Sequence, residues 1–168
     1  MSTPRLLSRL DAADCHVLHW IARRRAPSLV RIMRVVTRTG DALFIAAALA
    51  VAVACRPGRT SALITLSTLA ALAAFWCIKR LVRRSRPELH VLMAAPDRFS
   101  MPSGHATCAW ALAVACSILL PAAALPICGW AIAVSLSRVV LAVHYPFDVL
   151  AGSALGSAAA LVVVGLLG

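Results

Sequence analysis

Charge is scarce in this sequence: Asp, Glu, Lys and Arg together make up 14% of its 168 residues. No group of carboxylates is spaced to hold a divalent cation, so neither a metal nor another cofactor is expected. The six cysteines, Cys15, Cys55, Cys77, Cys108, Cys116 and Cys128, include no C-x-x-C pair. Most lie in apolar runs, where a thiol acts as a small hydrophobe, which argues against a disulfide framework or a thiolate metal site. His16 and His19 stand three apart but lack a third ligand at a usable spacing. Met1 to Arg5 lead into charged sequence without an apolar h-region, so no cleaved signal peptide is expected.

What the chain has instead is hydrophobicity. Apolar residues account for 61% of it and the mean hydropathy is +0.87. A soluble domain of this length needs more polar surface, so the composition predicts one all-α, polytopic transmembrane bundle over residues 1–168. The net charge of +11 comes from arginines beside long apolar runs. That placement favours anionic lipid headgroups or a phosphorylated lipid over nucleic acid as the partner.

Five apolar runs are expected to cross the bilayer: Asp41–Cys55, Thr60–Ile78, Ala106–Leu120, Ala122–Val143 and Phe147–Leu167. The first and third are short for a perpendicular span. Within the last, Gly152 and Gly156 form a G-x-x-x-G face that suits helix packing, inside the chain or between copies in a homo-oligomer. Residues 1–40 read differently. Leu7, Leu10, Val17 and Ile21 share one helical face, and Leu29, Ile32, Met33 and Val36 repeat the pattern after Pro27. Opposed by arginines, both stretches are expected to lie in the membrane interface.

Three polar clusters interrupt this apolar sequence. Lys79 to Pro87 ends the second run, Pro102-Ser103-Gly104-His105 opens the third, and Ser137 to Asp148 joins the fourth to the fifth. The long segment between Lys79 and Ser103, broken by Pro87, Pro96 and Pro102, is of the kind that carries function. Tracing the runs puts all three clusters at one membrane face. Ionisable residues placed there are costly and read by default as a functional site.

The chemistry they suit is phosphoryl transfer. Equatorial phosphate oxygens need fixed cations and donors. Lys79, Arg86 and Arg138 supply charge, the arginines as bidentate forks. Ser103 and Gly104 at a helix start supply a hydroxyl, backbone N–H groups and close approach. His144 precedes Asp148 by four residues, which places a carboxylate near one ring nitrogen and leaves the other to attack phosphorus. His105 then serves as general acid. Arg80, Arg83 and Arg84 read more simply as residues snorkelling at a helix end, and Asp148 alone would be an ordinary first-turn acid.

In this order and spacing the clusters resemble the three-part signature of the type 2 phosphatidic acid phosphatase family, which also includes vanadium-dependent haloperoxidases. Lys79 with Arg86-Pro87 matches the first motif, Pro102 to His105 the second, and Ser137-Arg138, His144 and Asp148 the third. The resemblance covers residues 79–148. It implies a helical core, hydrolysis without a metal, and a phosphohistidine intermediate. It also implies His144 as nucleophile, Asp148 as its orienting partner and His105 as acid. Lys79, Arg86, Ser103, Gly104 and Arg138 become the phosphate cradle.

A lipid phosphate or polyprenyl (di)phosphate phosphatase is therefore the leading expectation. A lipid phosphotransferase on the same scaffold is the alternative. A haloperoxidase is disfavoured by the hydrophobicity, and a scaffold or transporter leaves the three clusters unexplained. The protein is expected to be multi-pass in the cell (inner) membrane. Charge bias puts the site on the cytoplasmic side, whereas the habit of the resembled family puts it outside.

Overall fold

A computed structural model of the protein describes residues 5–87, 92 and 98–168. Seven α-helices follow one another among these residues. They are α1 (Arg5–Arg24), α2 (Pro27–Arg38), α3 (Ala42–Cys55), α4 (Arg59–Val82), α5 (Gly104–Leu119), α6 (Ala124–Val140) and α7 (Pro146–Leu167). A 3-10 turn, Pro121–Ala123, leads into α6. The five apolar runs correspond to α3 through α7, their ends shifted by a few residues. The side chains of Leu7 and Leu10, and Pro96 of the long loop, lie outside the described residues.

Three elements are long and apolar enough to cross a membrane alone: α4, α6 with its 3-10 lead, and α7. At 1.5 Å per residue α4 reaches about 36 Å, against a hydrocarbon core of about 30 Å. The other two expected spans fall short by length, for different reasons. Helix α5 has 16 residues, but it sits at the centre, packed against α4, α6 and α7, where those neighbours and not lipid surround it. Helix α3 has 14 residues and meets α2 at 49°, and together they qualify as one bent span. Around this core, Leu43, Leu81, Leu125 and Leu166 point outward, 79–86% exposed, as lipid-facing residues do. The chain is a membrane protein.

The N-terminal helices, expected in the membrane interface, pack against the bundle. Helix α2 packs along α6: Thr37 is fully buried, Trp130 Nε1 donates to Thr39 Oγ1 at 2.8 Å, and Val36 packs against the cluster of Ala109, Ala113, Ala131 and Val134. Its apolar stripe is thus divided, with Val36 against α6 while Leu29 and Ile32 stay exposed. Helix α1 places Leu18 in a core with Ala106, Val139, Ala142 and Val149. An amphipathic period shows that one face is apolar; it does not say whether lipid or protein covers it.

The glycine face of α7 is spent inside the chain. A Cβ on Gly152 would stand 2.6 Å from the Ser103 carbonyl oxygen, and one on Gly156 would stand 2.0 Å from that of Thr107. Both glycines are buried against α5, so this face is not offered to a second copy. The close approach fixes the start of α5 beside the start of α7, which is where the polar clusters lie.

Candidate active site

All eight residues expected in the site stand at one end of the bundle. Lys79 ends α4, Ser103 and Gly104 open α5 with His105, Arg138 lies in the last turn of α6, and Asp148 in the first turn of α7. His144 sits in the turn between α6 and α7. Ala142 in that turn has φ of 57°, a left-handed residue that reverses the chain. The backbone N–H groups of Val143 and His144 both return to the Arg138 carbonyl, at 3.2 and 3.3 Å.

Contacts tie the clusters to one another. Arg86 Nη1 donates to the Val143 carbonyl at 2.7 Å and lies 3.4 Å from His144 Nε2. The Ser103 N–H donates to the Asp148 carbonyl at 3.0 Å. Lys79, buried to 4% exposure, places Nζ 4.9 Å from the centroid of Phe75. The same ring bounds Gly104, where a Cβ would meet it at 3.1 Å. A single β-bridge between Ser85 and Phe99 closes the base of the long loop, and Ser100 N–H donates to the Arg84 carbonyl at 2.8 Å. On this extended stretch Arg84 and Arg86, two residues apart, leave the backbone on the same side.

Arg84 corrects the sequence-based expectation. It does not snorkel: Nη1 donates to Asp148 Oδ1 at 2.7 Å, and Nη2 to Asp11 and Asp14 at 2.6 and 2.7 Å. Its guanidinium also stacks 4.3 Å from the Tyr145 centroid. Burial alone would lower its pKa, but the carboxylates of Asp14, Asp148 and Asp11 outweigh that and raise it. Arg80 and Arg83, in contrast, are exposed as expected. The signal in the sequence was the acids: with only six in the chain, Asp11 and Asp14 on one face of a basic helix call for a cation partner.

Asp148 is fully buried. Besides Arg84, its Oδ2 accepts the Tyr145 N–H at 2.9 Å and lies 3.7 Å from His144 Nδ1, near but beyond hydrogen-bond distance. The His144 ring is buried, which drives its pKa down to about 4. Asp148 pulls the other way, while the positive charges of Arg138 and Arg86 add to the lowering. The ring is therefore neutral at physiological pH.

A further carboxylate was not anticipated. Asp41 Oδ1 lies 2.8 Å from His105 Nε2. Arg138 in turn donates through Nη1 to Thr37 Oγ1, so the α2–α3 corner supports two of the expected site residues.

Among the described residues, three buried side-chain atoms have no hydrogen-bond partner: Ser103 Oγ, Arg138 Nε and His144 Nδ1. Buried polar atoms in proteins are nearly always satisfied. Here all three belong to the residues that the sequence motifs single out. Ser103 is the N-cap of α5, yet its hydroxyl makes no cap hydrogen bond. An uncommitted donor, arginine forks and a neutral imidazole at one helix start suit a small multivalent anion.

Comparison with known proteins agrees with this geometry. A family model described as the PAP2 superfamily matches residues 42–167. Decaprenylphosphoryl-5-phosphoribose phosphatase of Mycobacterium tuberculosis (strain ATCC 25618 / H37Rv) is 42% identical over 87 residues, covering 48% of this chain and 46% of that protein. Its counterpart in Mycolicibacterium smegmatis is 46% identical over 85 residues, covering 48% of this chain and 45% of that protein. The matched stretch thus spans a little less than half the length of these curated relatives. The transmembrane PAP2 type phosphatidylglycerolphosphate phosphatase of Bacillus subtilis superposes with a TM-score of 0.85 at 25% identity, covering 94% of this chain and 86% of that one. LpxE of Aquifex aeolicus shares the fold, with a TM-score of 0.78 at 18% identity over 90% of this chain and 94% of its own. With the signature residues gathered at one site and the family model matching from α3 to the end of α7, the chain belongs to the PAP2 superfamily.

Proposed function

We propose that this protein is a lipid phosphate phosphatase working through a phosphohistidine. The unsatisfied donors Ser103 Oγ and Arg138 Nε carry this reading, because a phosphoryl group supplies the acceptor oxygens they lack, while His144 turns Nδ1 toward Asp148 and keeps Nε2 for phosphorus. Arg86, Arg138, Lys79, the Ser103 hydroxyl and the backbone at Gly104 hold the phosphoryl oxygens and offset the charge that develops on them. His144 Nε2 attacks phosphorus; the bond to the leaving oxygen breaks, and that oxygen takes its proton from His105. Water then attacks the phosphohistidine, His105 accepts a proton from it, and the P–N bond breaks to release inorganic phosphate. The neutral state of His144 is the form this needs. The Nδ1 to Asp148 gap of 3.7 Å is of the kind that tightens in a substrate complex.

Among lipid substrates a polyprenyl-phosphate sugar phosphate is placed first, since the mycobacterial relatives at 42 and 46% identity are named for one. The purified protein is expected to release phosphate from that class faster than from phosphatidic acid, phosphatidylglycerol phosphate or undecaprenyl diphosphate. His144→Ala should abolish both turnover and acid-labile covalent phosphate, and Asp148→Asn should lose on the order of 10⁴ in rate. Vanadate, five-coordinate when bound, should inhibit, and activity should persist in EDTA. Unchanged hydrolysis by His144→Ala would remove the mechanism; a different lipid preference would revise only the substrate.

A further inference from the structure

The corner between α2 and α3 is built around the His105 ring. Gly40 is where the chain turns, and a Cβ there would meet Val134 Cγ1 at 2.7 Å and His105 Cδ2 at 3.0 Å, so only glycine lets the backbone come this close. The next residue, Asp41, occupies the N-cap of α3. An aspartate at that position ordinarily accepts an N–H from the first turn, yet Asp41 makes no side-chain cap bond. Its carboxylate reaches across 64 positions in the sequence to His105 Nε2 at 2.8 Å. The His105 side chain is 18% exposed and that of Asp41 45%, so the pair sits at the rim of the site. The other charged or titratable groups acting on the ring are Arg138 from α6 and His144 from the α6–α7 turn.

We infer that Asp41 is a positioning residue for the general acid, holding the His105 ring through Nε2 so that its other nitrogen faces the leaving oxygen. The site then contains two carboxylate–histidine pairs from four separate segments, one for the nucleophile and one for the acid. The carboxylate also compensates the positive charge of the ring while it carries both protons. When the phosphorus–oxygen bond breaks, the ring gives up the proton on its free nitrogen and keeps the one bound toward Asp41. The orientation survives into the second step, where the free nitrogen takes a proton from water. This inference rests on the proposed phosphohistidine reading, and sequence reasoning missed it because Asp41 lies outside every motif.

Leaving-group dependence tests it. A lipid alkoxide leaves only if protonated, whereas p-nitrophenolate leaves without help. Wild type, Asp41→Asn, Asp41→Glu and His105→Ala are assayed on a short-chain phosphatidic acid and on p-nitrophenyl phosphate. On the lipid, His105→Ala should lose roughly 10²–10⁴ in kcat/KM, the range a positioned proton donor supplies, and Asp41→Asn about 10- to 100-fold as part of it. On p-nitrophenyl phosphate kcat/KM, which reads the steps up to departure of p-nitrophenolate and not the later attack of water, should stay within about tenfold of wild type for both. Asp41→Glu should recover part of the lipid rate, and the Asp41→Asn/His105→Ala double variant should be no worse than His105→Ala alone. Equal losses on both substrates in Asp41→Asn would make Asp41 structural and overturn the inference. So would a wild-type lipid rate in Asp41→Asn beside an impaired His105→Ala, with the phosphatase reading intact. A wild-type lipid rate in His105→Ala would remove the acid itself, and with it both the inference and that part of the mechanism.

Discussion

Arg84 Nη1 donates to Asp148 Oδ1 at 2.7 Å, and the same guanidinium binds Asp11 and Asp14 of α1. The carboxylate that faces His144 is therefore held from behind by a cation, which α1 holds in turn; Asp14 Oδ1 also accepts the Phe147 N–H at 3.0 Å. Removing the arginine would leave Asp148 and Asp14, at 0 and 6% exposure, as buried unpaired charges. Arg84→Met is expected to cost about 3–5 kcal/mol in thermal or denaturant unfolding. Arg84→Lys should keep the fold, but a point charge cannot bridge three carboxylates. It should lower kcat about 100-fold, the scale of an ångström-sized misplacement, with KM little changed. Wild-type melting and turnover in Arg84→Met would refute this role.

The contrast between Arg84 and Arg86 shows how far the sequence alone carries. Arg86 is followed by proline at a fixed distance from Lys79, and the match to a known signature pointed to it. Arg84 lies between signature positions, and its role depends on Asp11 and Asp14, more than 70 residues away. The helical runs were legible because apolar character persists over whole turns, and α3 to α7 appear where it does. The packing of α2 was not, since Thr37 and Thr39 look like ordinary polar residues until Arg138 and Trp130 reach them. Gly152 and Gly156 announced close packing; only the fold shows that the partner is α5. The three motifs point to the candidate site, and its tertiary partners Asp41 and Arg84 are visible only in the fold.

The depressed pKa of His144, about 4, has a direct kinetic expression. In the proposed mechanism only the neutral ring attacks, so kcat/KM should rise with pH through about 4 and level off by about pH 6. A histidine with an ordinary pKa of about 6.5 would place that limb more than two units higher. Arg86 is one of the positive charges that disfavour protonation. Arg86→Gln should therefore move the limb upward toward the ordinary value, in addition to weakening turnover. A pH profile on a soluble short-chain lipid phosphate reads both. A wild-type limb centred near 6.5 would contradict a buried neutral nucleophile.

Gly156 tests the packing that sets the site. A Cβ there meets backbone, the Thr107 carbonyl at 2.0 Å and the Ala111 nitrogen at 2.9 Å, so no rotamer change relieves it. Helix α7 must move away from α5, carrying Asp148 with it. Gly156→Ala is expected to destabilise by at least about 1–3 kcal/mol and to reduce activity in proportion to the folded fraction lost or more. Gly165→Ala, with nothing within 4 Å, is the matched control and should be near neutral. Melting curves in detergent distinguish them. Equal stability of the two variants would mean that α5 and α7 are not so closely packed.

The distribution of charge bears on orientation in the membrane. All of the 17 basic residues except Arg56 and Arg59 lie on segments at the active-site end, while those two flank the α3–α4 turn at the other. The excess stands even when the site residues Lys79, Arg86 and Arg138 are set aside. Loops this short fall under the positive-inside rule, and on that ground we propose that the site faces the cytoplasm. A cytoplasmic site meets lipid phosphates made by biosynthesis, and an external one meets carrier lipids after use. Single cysteines on a background lacking the six native ones report the answer directly. Arg98 and Arg56 are both exposed and stand at opposite ends of the bundle. In intact cells an impermeant maleimide should label Arg56→Cys and spare Arg98→Cys until the membrane is opened. The reverse pattern would place the site outside.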